Sequence, residues 1–303
     1  MTESAEITPR GPFSLEAAAG FGFGPNEGRP PAFDGALRLA FPVDGGRGYA
    51  GAVLRQPAAD GPVSVELDLR DDAPRDAALA QIARIVSLDH DGEAFVRLGD
   101  ADPVLGALQR AHPGQRPVLF CSPYEGAAWA VISARRPAAQ GARVRADLSR
   151  QFGETFELAG VTTLAFPQPE HLVALGDQFP GLNLEKLTRL RGVTGAALAG
   201  ELDVTRLHEL GPAAAYADVQ RLRGLGPFYA GLIVLRASGF ADAPLLAPEP
   251  RVLGNMARFY RLSEPPALYA QYLAQAERWR PFRTWATVLM RLAGDRGTEP
   301  PTS

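Results

Sequence analysis

Three short stretches of this chain combine residue types that can do chemistry with a spacing that can present them. The first, Arg223-Gly224-Leu225-Gly226, lies between "AYADVQRL" and "PFYAGLIVLRAS", each of which reads as a helix. Glycines there tolerate positive φ and close approach, and Pro227 suits a first helical turn because it has no N–H to lose. A turn of this kind points successive backbone N–H groups outward at the start of the second helix, which makes a seat for a phosphate oxygen. The same four residues also suit a plain helix–helix connection whose glycines only permit tight packing. The second stretch, Leu246-Ala247-Pro248-Glu249-Pro250, sets a carboxylate at the start of the helical "PRVLGNMARFY", where an acid is favoured with or without chemistry. The third, "SARRP", offers Arg135 and Arg136 before a helix-starting proline, either as a nucleic-acid-facing loop or as two solvated arginines.

Composition narrows the chemistry. Cys121 is the only cysteine in 303 residues, so internal disulfides, zinc ribbons and cysteine-ligated clusters are excluded by arithmetic. Histidines 90, 112, 171 and 208 never approach the short spacings of metal sites; no metal and no cofactor is expected. A net charge of −3 argues against a protein that coats nucleic acid by bulk attraction but leaves room for a local contact. Lys186 is the only lysine, so arginine supplies the remaining positive charge; it is the planar donor suited to phosphate and to stacking, although arginine-rich codon usage is the plainer cause of such a bias. No long apolar run appears, and "MTESAEITPRGPF" lacks the basic-then-apolar order of a secretion signal. A cytoplasmic location without membrane contact is the expectation, with disordered tails at 1–12 and 297–303.

The elements that must position these residues fall into two textures. From 13 to 70, "FSLEAAAGFGF", "GALRLAFPV", "GYAGAVLRQ" and "VSVELDLR" alternate with Gly, Pro and Asp-Gly turn signals and read as antiparallel strands. "RDAALAQIARIVSL" then spaces Ala78, Ile82 and Ile85 at helical intervals. Residues 13–104 are therefore expected to form an α+β domain, an antiparallel sheet with helices. From 105 to 296 amphipathic helices divided by Pro and Gly predominate and strand patterns are almost absent, which predicts an all-α region of two lobes around a cleft.

In order and spacing, the hairpin, "SPYEGAAWAVIS", "FPQPEHLVAL" and "ERWRPFRTWATVLMRLAG" resemble the bacterial DNA-3-methyladenine glycosylases of the AlkA type, members of the helix-hairpin-helix DNA glycosylase superfamily. The resemblance runs over roughly residues 13 to 295. It implies excision of alkylated bases from duplex DNA by a monomer with two helical lobes, in which the hairpin anchors a phosphate, a wedge fills the gap left by the flipped nucleotide, and aromatic side chains stack on the extruded base. Unstacking costs a few kcal/mol, less for a damaged base, and a shaped pocket offsets the rest.

By position, Gly224 and Gly226 match the hairpin glycines, with Arg223 where the family usually has proline. Phe228 falls on a pocket aromatic, at the place where the bifunctional branch carries its Schiff-base lysine. Phenylalanine forms no Schiff base, so lyase activity is not expected. Arg135 takes the wedge position, and Tyr124 and Trp129, close to that loop, are candidates for the base pocket. Trp279, Phe282 and Trp285 read as core residues, as large aromatics on helices usually do. Arg291 stands where some relatives place a pocket aromatic, and Lys186 and Arg189 lie on a basic helix near phosphate or solvent.

The family's chemistry rests on an aspartate beyond the hairpin, which stabilises positive charge growing on the deoxyribose as the glycosidic bond lengthens. Aligning Pro248 with the family's proline puts Glu249 on the preceding acid and Pro250 on the catalytic aspartate itself. Either Glu249 takes over that role, with Asp242 a weaker substitute, or it only favours a helix start and catalysis has lapsed. The readings are thus a monofunctional glycosylase with Glu249 as its catalytic group, a noncatalytic protein that binds lesions or distorted duplex, and a helical interaction module without affinity for DNA.

Overall fold

The computed structural model describes residues 2–21, 32–45, 48–262 and 267–300. Strands β1 (Thr2–Ile7), β2 (Leu37–Pro42), β3 (Tyr49–Arg55) and β4 (Val63–Arg70) form an antiparallel sheet in the order β1-β4-β3-β2. β1 corrects the expectation of a tail at 1–12: Thr2–Ile7 pairs along its length with Asp68–Val63. Its alternating polar residues look like a tail because an edge strand buries only one face. The expected strand at 13–23 is also corrected. Leu15–Ala19 is a short helix, α1, whose N-cap Ser14 accepts from the Ala17 N–H, and a capped alanine-rich run favours helix over strand. The last two residues of that stretch, 22 and 23, lie outside the described residues.

Helix α2 (Arg75–Ile85) packs Ala78, Ile82 and Ile85 against the sheet side carrying Val63, Val65 and Leu67. The other side is covered by a hairpin, β5 (Thr155–Leu158) and β6 (Val161–Leu164), through Phe156 and Leu158. This hairpin departs from the strand-free expectation beyond 105. Its turn, Ala159-Gly160, adopts positive φ at both residues, without the Asn-Gly or Asp-Gly signal that marks such turns in sequence.

Helices α3 (Gly92–Ala101), α4 (Pro103–Ala111), α5 (Pro123–Ser133), α6 (Ala138–Phe152), α7 (Pro169–Leu172), α8 (Leu184–Leu198) and α9 (Val204–Gln220) follow. The chain ends with α10 (Pro227–Arg236), α11 (Pro250–Tyr260), α12 (Leu268–Ala276) and α13 (Arg283–Asp295). α9 is two helical segments broken at Gly211 (φ 74°), before Pro212. One apolar cluster is built by α5, α6, α8, α9 and α10; a second joins α3 and α4 to α11, α12 and α13. The sequence-based boundary at 104/105 thus falls inside α4, which shares the second core with α3. None of the described helices is long and apolar enough to cross a membrane. Of the expected tail at 297–303, Thr298 hydrogen-bonds His112 and Arg258, and residues 301–303 lie outside the described residues.

Candidate nucleic-acid interface and cavity

The turn between α9 and α10 is fixed from inside. Leu225 is 2% exposed and donates its N–H to the Leu222 carbonyl at 3.0 Å. Its side chain belongs to the core, which corrects its assignment as a DNA-touching residue: it anchors the turn. Gly224 takes φ +99°, and a Cβ there would stand 2.7 Å from Arg189 Cδ, so glycine is required for both conformation and space. Arg223 and Gly226 are exposed. Pro227 opens α10, and the backbone N–H groups of Gly224, Gly226, Phe228 and Tyr229 have no partner among the described residues. Unpaired amides at the positive end of a helix dipole make a seat for one anionic oxygen.

A Cβ on Gly226 meets nothing within 4 Å, and the residue has an ordinary φ of −70°. Gly226→Val is therefore expected to fold normally while projecting a branched side chain over those amides. Duplex affinity should fall about 30-fold, the equivalent of roughly 2 kcal/mol for a lost charge-assisted contact; titration by fluorescence anisotropy checks it, and unchanged affinity would remove the anion seat.

The α5–α6 loop faces the hairpin. Arg135 is exposed, lies in the left-handed region (φ +55°) and has no partner among the described residues; it lines a cleft together with Arg223, Gly224, Gly226 and Tyr229. Arg136 instead donates to the Gly181 carbonyl at 2.8 Å. Lys186 holds the loop in place, its Nζ donating at 2.8 Å to the carbonyls of both Ile132 and Ala134, which would otherwise be orphaned at the C-terminal end of α5. Burial first, then Arg136 and Arg189, push the Lys186 ammonium down to about 8. The sign is direct: the charge is present below that pH and lost above it. Duplex affinity is expected to decline as pH rises through about 8, and Lys186→Met should flatten the decline; an identical pH dependence in that variant would discard the assignment.

On the other side of the first turn of α10 lies a largely apolar cavity. Phe228 (51% exposed), Leu232, Leu245, Leu246, Val252 and Val288 line it, and so does Glu249. Glu249 is the N-cap of α11, with Pro250 in the first turn. Its Oε2 accepts from the Val252 N–H at 2.6 Å and stands 3.8 Å from Arg291 Nε; Oε1 has no partner among the described residues. Arg291, which also pairs with Asp295, lines the same cavity, where some relatives would place an aromatic.

Two predicted pocket residues are elsewhere. Tyr124 and Trp129 are 5% and 8% exposed in the α5 core, Tyr124 against Phe166 and Trp129 where α6 comes close at Gly141. They do not line the cavity; periodicity could not separate the face of α5 toward the cleft from the face toward its neighbours. Asp242 is bound by Arg283 at 2.7 Å and Arg280 at 3.1 Å and is committed to that network. Trp279, Phe282 and Trp285 are buried in the second core, as expected. The sequence reading missed Phe21, which lines the cavity with Arg236 stacked 4.5 Å from its ring centre. Nothing local to Phe21 signals this, because the wall forms only when the N-terminal segment meets α10.

No protein-family model and no curated protein matches this chain. Solved structures do. A 3-methyladenine DNA glycosylase from Archaeoglobus fulgidus is 21% identical with a TM-score of 0.76, over 97% of this chain and 99% of that one. An 8-oxoguanine glycosylase/lyase from Clostridium acetobutylicum, in complex with double-stranded DNA containing cytosine opposite 8-oxoG, is 16% identical with a TM-score of 0.63, over 98% of each. A 3-methyladenine DNA glycosylase from Schizosaccaromyces pombe, in complex with abasic DNA, is 18% identical with a TM-score of 0.50, over 69% of this chain and 100% of that one. The chain has the fold of the helix-hairpin-helix DNA glycosylases.

Proposed function

We propose that this helix-hairpin-helix glycosylase fold carries the corresponding activity: monofunctional hydrolysis of the N-glycosidic bond of an alkylated, 3-methyladenine-type base flipped from duplex DNA. The observation that supports this most is that Glu249 and Phe228 line one cavity at the first turn of α10, beside the unpaired amides of the hairpin. In this reading the sheet with α1 and α2 forms the N-terminal α+β unit, and the later helices form two lobes, α3 and α4 packing with α11, α12 and α13, with a cleft where DNA docks. The monomer works in the cytoplasm on damaged duplex DNA, without lyase activity.

The hairpin amides hold a phosphate, with Arg223 beside them, and Arg135 fills the space vacated by the extruded nucleotide. Phe228 offers a stacking face to the base. As the bond between C1′ and the base nitrogen lengthens, its electron pair leaves with the base and positive charge grows on the sugar. The Glu249 carboxylate stabilises that charge across the cavity. Water then forms the new bond to C1′, and its proton passes to Glu249 or to solvent.

Release of methylated bases from an alkylated duplex, measured by chromatography under single-turnover conditions, tests the reading. Release that yields intact abasic DNA supports it. Tight, lesion-selective binding without release from any lesion would instead establish the noncatalytic protein foreshadowed by Pro250.

A further inference from the structure

A second groove adjoins the hairpin cleft, and Ala134, Arg135 and Arg189 line both. Its walls are the α5–α6 loop, the first half of α6, the turn at Gly181 and the start of α8. Arg135, Arg136, Arg143, Lys186 and Arg189 meet only Asp147 and Glu185 there. Asp147 is already paired with Arg150, outside the groove, and Glu185 with Arg189. Five cations against two paired acids is an unusual concentration in a chain whose net charge is −3. Arg143 is exposed and, like Arg135, has no partner among the described residues.

We infer that this groove binds the phosphates of the strand opposite the damaged base. The inference rests on the glycosylase reading and deepens it. Arg135 stands on the ridge between the two grooves, so a side chain that wedges into a duplex from there divides the strands. The strand with the extruded nucleotide stays on the hairpin side, and the complementary backbone passes over α6 and α8. Lys186 contributes twice, by charge and by holding the ridge, through its bonds to Ile132 and Ala134.

The test compares two probes bearing a tetrahydrofuran abasic analogue: a duplex, and the same lesion strand alone. Arg143→Glu, at an exposed and unpaired position, should weaken duplex binding roughly tenfold and reduce the slope of log affinity against log salt by about 0.9, the loss of one phosphate contact. Affinity for the single strand should not change. Equal weakening of both probes, or of neither, overturns the second groove. Gly226→Val, acting on the hairpin, should weaken both probes, so a defect there without one in Arg143→Glu removes the groove and leaves the glycosylase reading intact. Wild-type protein with no salt-dependent affinity for either probe overturns both.

Discussion

Glu249→Gln is expected to lower the single-turnover rate of base release by about 100- to 1000-fold while leaving duplex affinity unchanged. The magnitude is that of removing one preorganised electrostatic partner from a site of developing charge. Glutamine is nearly isosteric, and its side-chain oxygen can still accept from the Val252 N–H at the start of α11. Fold and cavity shape are therefore retained, and the loss isolates the negative charge. Neighbouring residues support Glu249 as the group concerned. Its Oε2 is engaged by α11 and approached by Arg291, which leaves Oε1 as the oxygen available to substrate. The other acid weighed for this role, Asp242, is held by Arg280 and Arg283. Equal release rates for wild type and Glu249→Gln would remove Glu249 from the chemistry; release that persists would then require another group.

Asp102→Ala is expected to destabilise the fold by on the order of 4 kcal/mol, a large share of the stability of an ordinary domain. Asp102 is 6% exposed. Its Oδ2 accepts from Tyr260 Oη at 2.7 Å, Gln275 Nε2 at 2.8 Å and Trp279 Nε1 at 3.0 Å, while Oδ1 caps α4 through the Leu105 N–H at 3.1 Å. Truncation strands three side-chain donors in a poorly hydrated core and removes a helix cap. Because these donors come from α11, α12 and the turn that follows, one carboxylate ties the start of α4 to α12 and to α11, the helix that Glu249 caps. Chemical denaturation measures the loss, and Tyr260→Phe, which deletes a single donor, should cost about 1 kcal/mol. Similar stabilities for Asp102→Ala and wild type would show that the helices are held by apolar contact alone.

Local sequence rules carried far in some places and failed in others for identifiable reasons. The hairpin was legible because its turn has local requirements: glycine at positive φ and proline in the first helical turn. Glu249 was legible as a helix start for the same reason. β1 was not, since an edge strand acquires its meaning from the partner β4. α1 was misread because a short alanine-rich run is decided by its cap, and β5–β6 because Ala159-Gly160 carries a weak turn signature. Tyr124 and Trp129 show the limit of periodicity on a helix such as α5, where ten of eleven residues are buried: no polar face remains to mark the side toward a cleft.

The amino-acid sequence by itself determined that helices predominate beyond residue 105, that an antiparallel sheet precedes them, and that a Gly-x-Gly turn stands ahead of an apolar helix. These follow from backbone preferences and side-chain spacing that act over a few residues. Tertiary structure alone decided that Phe21, Phe228 and Glu249 share a cavity, that Lys186 holds the loop carrying Arg135, and that cations from α6, α8 and that loop line one groove. Each of those arrangements joins residues far apart in the chain, and their proximity exists only once separate helices have buried their apolar faces against one another.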